Sequence, residues 1–176
     1  MYKRQDLISA VDISDYPKIL SYSPTFYDEN NNEINFINAL IQNGVNTIRL
    51  RLWVNPADES SSLEEVKEFS NELRSMGFKI WITPHFSDTW AHPGQQQIPS
   101  NWESLSFEEL KNQLYAHTNQ IMSEINPDYI QIGNEINTGI LFPHGNIMDN
   151  QDQFIELVNA GAVSYTHLRA HETVSD

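Results

Sequence analysis

Cysteine is absent from the 176-residue sequence. This absence excludes a disulfide framework, a thiolate nucleophile and any metal site with cysteine ligands. Long apolar runs are absent as well, so the sequence contains no candidate membrane span. The first six residues, MYKRQD, include two basic side chains but no apolar stretch of the kind found in an export signal. Two interpretations follow: a cytoplasmic protein, or a sequence that begins after its export signal.

Basic residues are scarce. Lys and Arg number 10 against 24 Asp and Glu, which gives a net charge of −14 at pH 7. Such a charge repels nucleic acids and anionic membrane surfaces, and it is compatible with a neutral polymer such as a glycan. Hydrophobic residues make up 39% of the sequence and aromatic residues 11%, which is enough for one globular domain with a buried core.

Short apolar segments alternate with amphipathic segments along the chain. This pattern predicts strands at 8–13, 47–53, 78–84 and 129–133, and helices at 33–42, 62–76, 106–125 and 151–162. Repeated strand–helix units form a parallel sheet. A closed barrel of this type needs about 250 residues. The predicted fold class is therefore the α/β (β/α)8 barrel, with only about its first four βα units present.

Polar and apolar side chains alternate within the predicted strands. In the second strand Ile48, Leu50 and Leu52 share one face, whereas Arg49 and Arg51 share the other. Successive side chains of a strand point to opposite faces, so the apolar set should pack on the helices and the arginines should point into the barrel. Buried arginines are costly unless carboxylates pair with them.

The other strands repeat this pattern near their carboxyl ends. The barrel side receives Asp12 from the first strand, His85 from the third and Glu135 from the fourth. A single strand of this kind is better explained by a structural ion pair. Four in succession favour a functional site, because barrel enzymes hold their active sites at the carboxyl ends of the strands.

The segment QIGNEIN at 131–137 places an asparagine and a glutamate at the end of the fourth strand. Alone the pair is a weak signal, because such short sequences also cap helices. The residue types fit retaining glycoside hydrolysis, in which one carboxylic acid protonates the leaving oxygen and one carboxylate attacks the anomeric carbon. A neighbouring amide can then bond to the sugar 2-hydroxyl.

Three segments together resemble one family. They are NTIRLRLW at 46–53, HFSDTWAHPG at 85–94 and QIGNEIN at 131–137, and AVDIS at 10–14 is similar to the first-strand motif of the same family. The family is that of the endo-β-1,4-galactanases, glycoside hydrolase family 53. The resemblance implies retaining endo-hydrolysis of β-1,4-galactosidic bonds in the (arabino)galactan side chains of pectin. It also implies an extracellular, periplasmic or cell-surface location for the parent enzyme.

The resemblance implies a role for each matching residue. Glu135 is implied to be the general acid of glycosylation and the general base of deglycosylation. Asn134 is implied to contact the 2-hydroxyl, and Arg51 to orient the nucleophile by ion pairing. The other implied substrate-binding residues are Asp12, Trp53, His85, Asp88 and Trp90.

The chain departs from the family pattern at several points. TPHF at 83–86 stands where the family usually has Asp-Phe-His-Tyr, and His92 stands where it usually has an acid. The family's nucleophile is a glutamate at the end of strand seven, which this chain does not reach. Residues 1–163 are therefore interpreted as the N-terminal half of a catalytic domain, and 164–176 as a non-native tail. Because half a barrel has open sheet edges, the chain alone is expected to aggregate or stay partly unfolded, and to be inactive.

No cofactor and no metal site are expected, because the histidines are scattered; His117 is expected at the surface or boundary of the third helix. The expected partner is β-1,4-galactan or arabinogalactan rather than nucleic acid or a membrane. Two alternatives stay open: another retaining barrel glycanase, such as a cellulase or mannanase, and a glycan-binding barrel without catalysis. The 85–94 segment favours galactan, because the Asn134–Glu135 pair is shared across a wider clan of barrel glycosidases.

Overall fold

The computed structural model describes residues 7–172, with side chains described for residues 7–163. Its elements in chain order are β1 (Ala10–Asp12), α1 (Tyr16–Leu20), β2 (Phe26–Tyr27), β3 (Glu33–Ile34), α2 (Phe36–Gln42), β4 (Thr47–Leu52), α3 (Leu63–Ser75), β5 (Lys79–Pro84), α4 (Phe107–Ile125), β6 (Tyr129–Ile130), β7 (Gly139–Ile140), β8 (Gly145–Asn146) and α5 (Ile147–Glu172).

Four strands form one parallel sheet in the order β1-β4-β5-β6. The register pairs Ile48 with Ile80 and Ile82 with Ile130, so apolar side chains align across the sheet. This face packs into a core that includes Val66, Phe69 and Leu73 from α3 and Ile121 and Ile125 from α4. The prediction that the apolar residues face the helices is confirmed.

The strands differ from the predicted ones mainly in length. β4 and β5 end within one residue of the predicted bounds, whereas β1 covers only Ala10–Asp12 and β6 only Tyr129–Ile130. The fourth strand is short because Gly133 and Glu135 adopt φ values of +80° and +47°. Such left-handed conformations are incompatible with an extended strand.

Hydroxyl side chains cap the two long helices that cover the sheet. The Ser106 side chain accepts from the third residue of α4, while the Glu109 carboxylate accepts from the Ser106 backbone, so this helix begins with a reciprocal capping box. In α3 the Ser62 side chain accepts from the Glu65 backbone, but the Glu65 carboxylate bonds to Ser61 instead. The α3 cap is therefore not reciprocal.

Two small hairpins and one short helix were not predicted. β2 and β3 pair antiparallel, so α2 begins only at Phe36, after the Asn35 cap. β7 and β8 form a second hairpin, after which α5 begins at Ile147, bends at Asn150 and continues to Glu172. α1 fills the connection after β1. These hairpin strands and α1 are too short to produce a clear periodicity in the sequence.

β1 and β6 are the two edges of the parallel sheet. Each edge strand lacks a neighbour on one side, so its backbone N–H and C=O groups on that side are unpaired. In a closed barrel another strand pairs with these groups. None of the helices within residues 7–172 combines the length and the apolarity required to cross a bilayer.

Candidate active site

The chain leaving β6 enters a tight turn that carries Glu135. A Cβ atom at Gly133 would lie 2.6 Å from Ile136 Cγ2, and φ there is +80°, so the position requires glycine. Glu135 follows at φ +47° with an exposed side chain. Strand alternation ends at Ile130, so the position of Glu135 is set by this turn. The prediction derived from extended-strand parity was wrong in its reason, although Glu135 does lie just beyond the carboxyl end of the strand.

The amide of Asn134 is held on both sides. Its Oδ1 accepts from Arg49 Nη2 at 2.9 Å, and its Nδ2 donates to the carbonyl of Ala91 at 2.8 Å. The side chain is buried, so the amide orientation is defined. One N–H of this amide is still available to a ligand beside Glu135.

Asp12 completes this network across the sheet. Its carboxylate forms an ion pair with Arg49 and accepts from the backbone and hydroxyl of Ser14. Burial opposes ionisation of Asp12, but the hydrogen bonds from Ser14 and the ion pair with Arg49 outweigh it and hold the pKa of Asp12 below its usual value. Arg49 thereby connects β1 with the turn after β6, and Asp12 supplies the carboxylate that an inward arginine requires.

Arg51 is buried against two indole rings. Its guanidinium carbon lies 4.4 Å from the Trp53 ring centroid and 4.1 Å from that of Trp90, within the range of cation–π attraction. Arg51 Nε donates to Ser61 Oγ at 3.0 Å, and Nη2 donates to Asp15 at 2.7 Å. The stacked and bonded guanidinium is fixed in orientation, which suits a role in positioning a second carboxylate.

His85 is a buried neutral donor beside these rings. Its Nδ1 accepts from the backbone of Ala91 at 3.2 Å, which leaves the proton on Nε2. Burial and the neighbouring charges of Arg51 and Arg49 lower the pKa of His85 to about 3. Within the described residues, His85 Nε2 and the indole N–H of Trp53 are buried without a hydrogen-bond partner. Buried donors normally have acceptors, so the two groups are suited to bind an oxygen-rich ligand or residue.

Asp88 holds the long loop that follows β5, residues 85–104, here called the β5 loop. One carboxylate oxygen accepts from the backbone of Asn55 at 3.0 Å. The other accepts from the backbone and hydroxyl of Ser100 at 2.8 and 2.7 Å. Both oxygens are occupied, so Asp88 anchors this loop, and direct contact with a sugar stays a prediction.

The predicted residues form two linked groups. Asp12 is joined to Asn134 through Arg49, while Arg51 contacts Trp53 and Trp90, with His85 against both rings. A cavity of about 300 Å³ reaches both groups through Asp12, Arg51 and Trp90, and its lining also includes Asp15, Tyr16 and Phe26; Asn134 and Glu135 are not among the residues that line it. No cluster of His, Asp and Glu within the described residues is arranged to hold a metal ion.

Sequence reasoning missed three residues that support the site: Asp15, Ser61 and Gln96. Asp15 and Ser61 bond to Arg51, and Gln96 bonds to the turn at Asn134 and Glu135. All three lie in connections, where the alternation of a strand gives no information. The inward Arg51 was a usable signal, because its charge required a nearby carboxylate.

His117 is buried, so its predicted position at the surface or boundary of α4 was wrong. The β5 loop folds over this helix, and the His117 ring contacts Phe86 and Trp102 at centroid distances of 6.2 and 5.6 Å. Burial lowers the pKa of His117 to about 4. This histidine is part of the packing beneath the site.

The model of Glycosyl hydrolase family 53 matches residues 8–174. The arabinogalactan endo-beta-1,4-galactanase A of Emericella nidulans is 38% identical over 128 residues, covering 70% of this chain and 36% of the relative. The arabinogalactan endo-beta-1,4-galactanase of Thermothelomyces thermophilus is 37% identical over 126 residues, covering 69% of this chain and 38% of the relative.

Solved structures of the same family are also similar to this chain. The Ignisphaera aggregans GH53 catalytic domain superposes with a TM-score of 0.83 at 36% identity, covering 94% of this chain and 49% of that structure. A structure from a study of two fungal beta-1,4-galactanases has a TM-score of 0.81 at 31% identity, with coverages of 89% and 48%. The chain thus spans about half of these structures and just over a third of the curated relatives. Because these neighbours are (β/α)8 catalytic domains, the predicted fold class is confirmed.

Proposed function

Because the chain belongs to glycosyl hydrolase family 53, we propose that it forms the first half of a retaining glycosidase that cleaves β-1,4-galactosidic bonds within galactan. One observation carries the proposal. Glu135, whose side chain is exposed, directly follows Asn134, whose amide is fixed, just beyond the carboxyl end of the sheet. That pairing of an acid with an oriented amide suits protonation of a glycosidic oxygen beside a sugar 2-hydroxyl that the amide binds.

In the proposed mechanism the two catalytic carboxyl groups come from different halves of the barrel. Glu135 donates its proton to the glycosidic oxygen as the bond to the anomeric carbon breaks, while a carboxylate from the second half attacks that carbon. Glu135 then accepts a proton from the water that releases the sugar. Asn134 donates its available N–H to the 2-hydroxyl, and Arg51 orients the attacking carboxylate.

Galactan is the proposed substrate. Trp90 is 52% exposed beside the cavity and offers an aromatic face, on which the apolar C–H face of a galactose ring can stack. Trp53 and His85 supply buried N–H donors for hydroxyl groups. The relatives that share these segments are named for arabinogalactan. We extend this to the galactan side chains of pectin, which are too large to enter a cell, so the whole protein should act outside the cytoplasm.

The domain limits remain those proposed from the sequence: 1–163 as half of a catalytic domain and 164–176 as a tail. Helix α5 crosses this limit and continues to Glu172, and the family match extends to residue 174. The side chains of 164–176 lie outside the described residues.

The test uses a completed barrel, in which residues 1–163 are joined to the second half of the Ignisphaera aggregans catalytic domain. We expect it to release reducing ends from β-1,4-galactan at least tenfold faster than from β-1,4-glucan or β-1,4-mannan. Faster cleavage of glucan or mannan would support the cellulase or mannanase alternative. Binding of galactan without any cleavage would support the non-catalytic barrel.

Acidification should destabilise the completed barrel through its two buried histidines. The unfolded chain takes up protons near pH 6.5, whereas the fold keeps His117 neutral to about pH 4 and His85 to about pH 3. The contribution of the two histidines to the free energy of unfolding is present above pH 6.5 and is lost as the pH falls from there towards the pKa values in the folded state. The loss between pH 7 and pH 5 is about 2 kcal/mol per histidine.

Urea unfolding at pH 7 and pH 5 measures this effect. Replacing His117 with leucine should reduce the pH-dependent loss of unfolding free energy by about 2 kcal/mol. The same replacement at the exposed His92 is the control and should leave the pH dependence unchanged. Equal pH dependence in the wild type and the His117→Leu variant would contradict the assignment.

A further inference from the structure

The side chain of Gln96 lies buried beneath the turn that carries Glu135, with only 1% of its surface exposed. Its Nε2 donates to the backbone carbonyl of Asn134 at 2.8 Å and reaches that of Glu135 at 3.4 Å. One amide therefore binds the backbone of both residues that the proposed mechanism places at the scissile bond.

The backbone of this turn needs such support. Glu135 has φ +47° although it carries a side chain, and a non-glycine residue in this region costs on the order of 1 kcal/mol or more. Residues persist in such conformations only where their surroundings hold them. The carbonyls of Asn134 and Glu135 belong to the two peptide groups that flank the Cα atom of Glu135, and Gln96 contacts both.

Gln96 is itself firmly held. Its backbone carbonyl accepts from Phe142 at 2.6 Å, which links the β5 loop to the connection between β7 and β8. The same loop contacts the turn region twice more, where the Ala91 carbonyl accepts from Asn134 and the Pro93 carbonyl accepts from Thr138 at 2.6 Å. The loop therefore contacts the turn region through the side chain of Gln96 and through the backbone carbonyls of Ala91 and Pro93. Substitution of Gln96 can remove the side-chain contact while leaving the loop backbone in place.

We infer that Gln96 is a positioning residue for the reaction: by binding the carbonyls of Asn134 and Glu135, it directs the Glu135 carboxyl group towards the glycosidic oxygen. The inference rests on the proposed role of Glu135. A displacement of about 1 Å at a reacting group can cost about 10²-fold in rate. Loss of the Gln96 amide should therefore lower kcat far more than it raises KM.

The experiment compares Gln96→Leu with Gln97→Leu in the completed barrel. Gln97 is the exposed neighbour of Gln96 on the same loop, so the second variant controls for loop substitution. We expect Gln96→Leu to lower kcat on galactan about 10²-fold, with KM changed less than threefold, and Gln97→Leu to match the wild type. In a Glu135→Gln background, Gln96→Leu should cause almost no further loss, because the group it positions no longer carries a proton.

Gln96→Glu adds a readout that a purely structural role would not move. A protonated carboxyl group at this position can donate to the Asn134 carbonyl, whereas an ionised one only accepts and repels it. The kcat of Gln96→Glu relative to wild type should therefore fall as the pH rises. Hydrogen exchange of residues 131–140 supplies a measurement that needs no activity, and it should be faster in Gln96→Leu than in Gln97→Leu.

Two results would overturn the inference while leaving the proposed function intact. One is an active wild-type barrel whose kcat is unchanged by Gln96→Leu. The other is an equal loss of kcat from Gln96→Leu in the wild-type and the Glu135→Gln backgrounds. Unchanged exchange of residues 131–140 in Gln96→Leu would also overturn it, whether or not the barrel is active. An inactive wild-type barrel with accelerated exchange would instead refute the proposed function and leave the contact of Gln96 with the turn supported.

Discussion

Glu135→Gln in the completed barrel should lower kcat on galactan by about 10³-fold or more. Glutamine keeps the shape of the side chain but carries no proton that it can transfer to the glycosidic oxygen. The effect should fall on kcat rather than on KM, because the proton is needed only as the bond breaks. Initial rates of reducing-end release, measured over a range of galactan concentrations, separate the two parameters.

The fold should be unaffected by this substitution. The Glu135 carboxylate is exposed, and within the described residues it forms no ion pair. Exposed side chains without such contacts change stability by less than about 0.5 kcal/mol. Glu68→Gln is the matched control, since Glu68 is an exposed glutamate on α3. A variant at Glu135 that keeps more than a tenth of wild-type kcat would remove this residue from the role of proton donor.

The 176-residue chain on its own should hydrolyse galactan at least about 10⁴-fold more slowly than the completed barrel, because the proposed mechanism takes its attacking carboxylate from the second half. Retaining hydrolysis requires two carboxyl groups about 5–5.5 Å apart. The carboxylates that the structure brings to the cavity, Asp12 and Asp15, are engaged by Arg49 and Arg51. In the proposed mechanism both hold the arginines in place, and Arg51 orients an attacking carboxylate from the second half of the barrel.

The sheet is also open on both sides in the isolated chain. β1 and β6 have no outer neighbour, and the buried N–H groups of Trp53 and His85 have no acceptor within the described residues. Reducing-end release by the purified chain, fractionated by size, measures its activity. Turnover in the monomer fraction would contradict the prediction, whereas turnover confined to a dimer would indicate that two copies complete one barrel.

The fold was predictable where burial imposes a period on the sequence. β4 and β5 are buried against helices on one face, so apolar and polar residues must alternate, and the positions of Ile48 and Arg51 follow from that alone. The carboxylates opposite the two arginines were expected for the same reason, because an unpaired buried guanidinium is costly. Asp12 pairs with Arg49 in the structure, and its predicted contact with substrate stays a prediction.

The remaining features depend on the path of the loops, which local periodicity does not encode. The β5 loop covers α4 and buries His117, and it also brings Gln96 beneath the turn at Glu135. Asp15 lies beyond the end of β1, where alternation no longer predicts direction. The resemblance located Glu135 and Asn134, but the left-handed turn that orients them emerged only from the structure.

The dependence of rate on the leaving group tests the role of Glu135 most directly. A series of aryl β-1,4-galactobiosides, with phenol leaving groups from strongly acidic to weakly acidic, would be assayed with the completed barrel and its Glu135→Gln variant. A proton donor is needed only when the leaving group is a poor one. We expect the kcat/KM of the variant, which reports the glycosylation step, to match that of the wild type within about tenfold for the most acidic phenols and to fall behind by about 10³-fold for the least acidic. An equal loss across the whole series would contradict it.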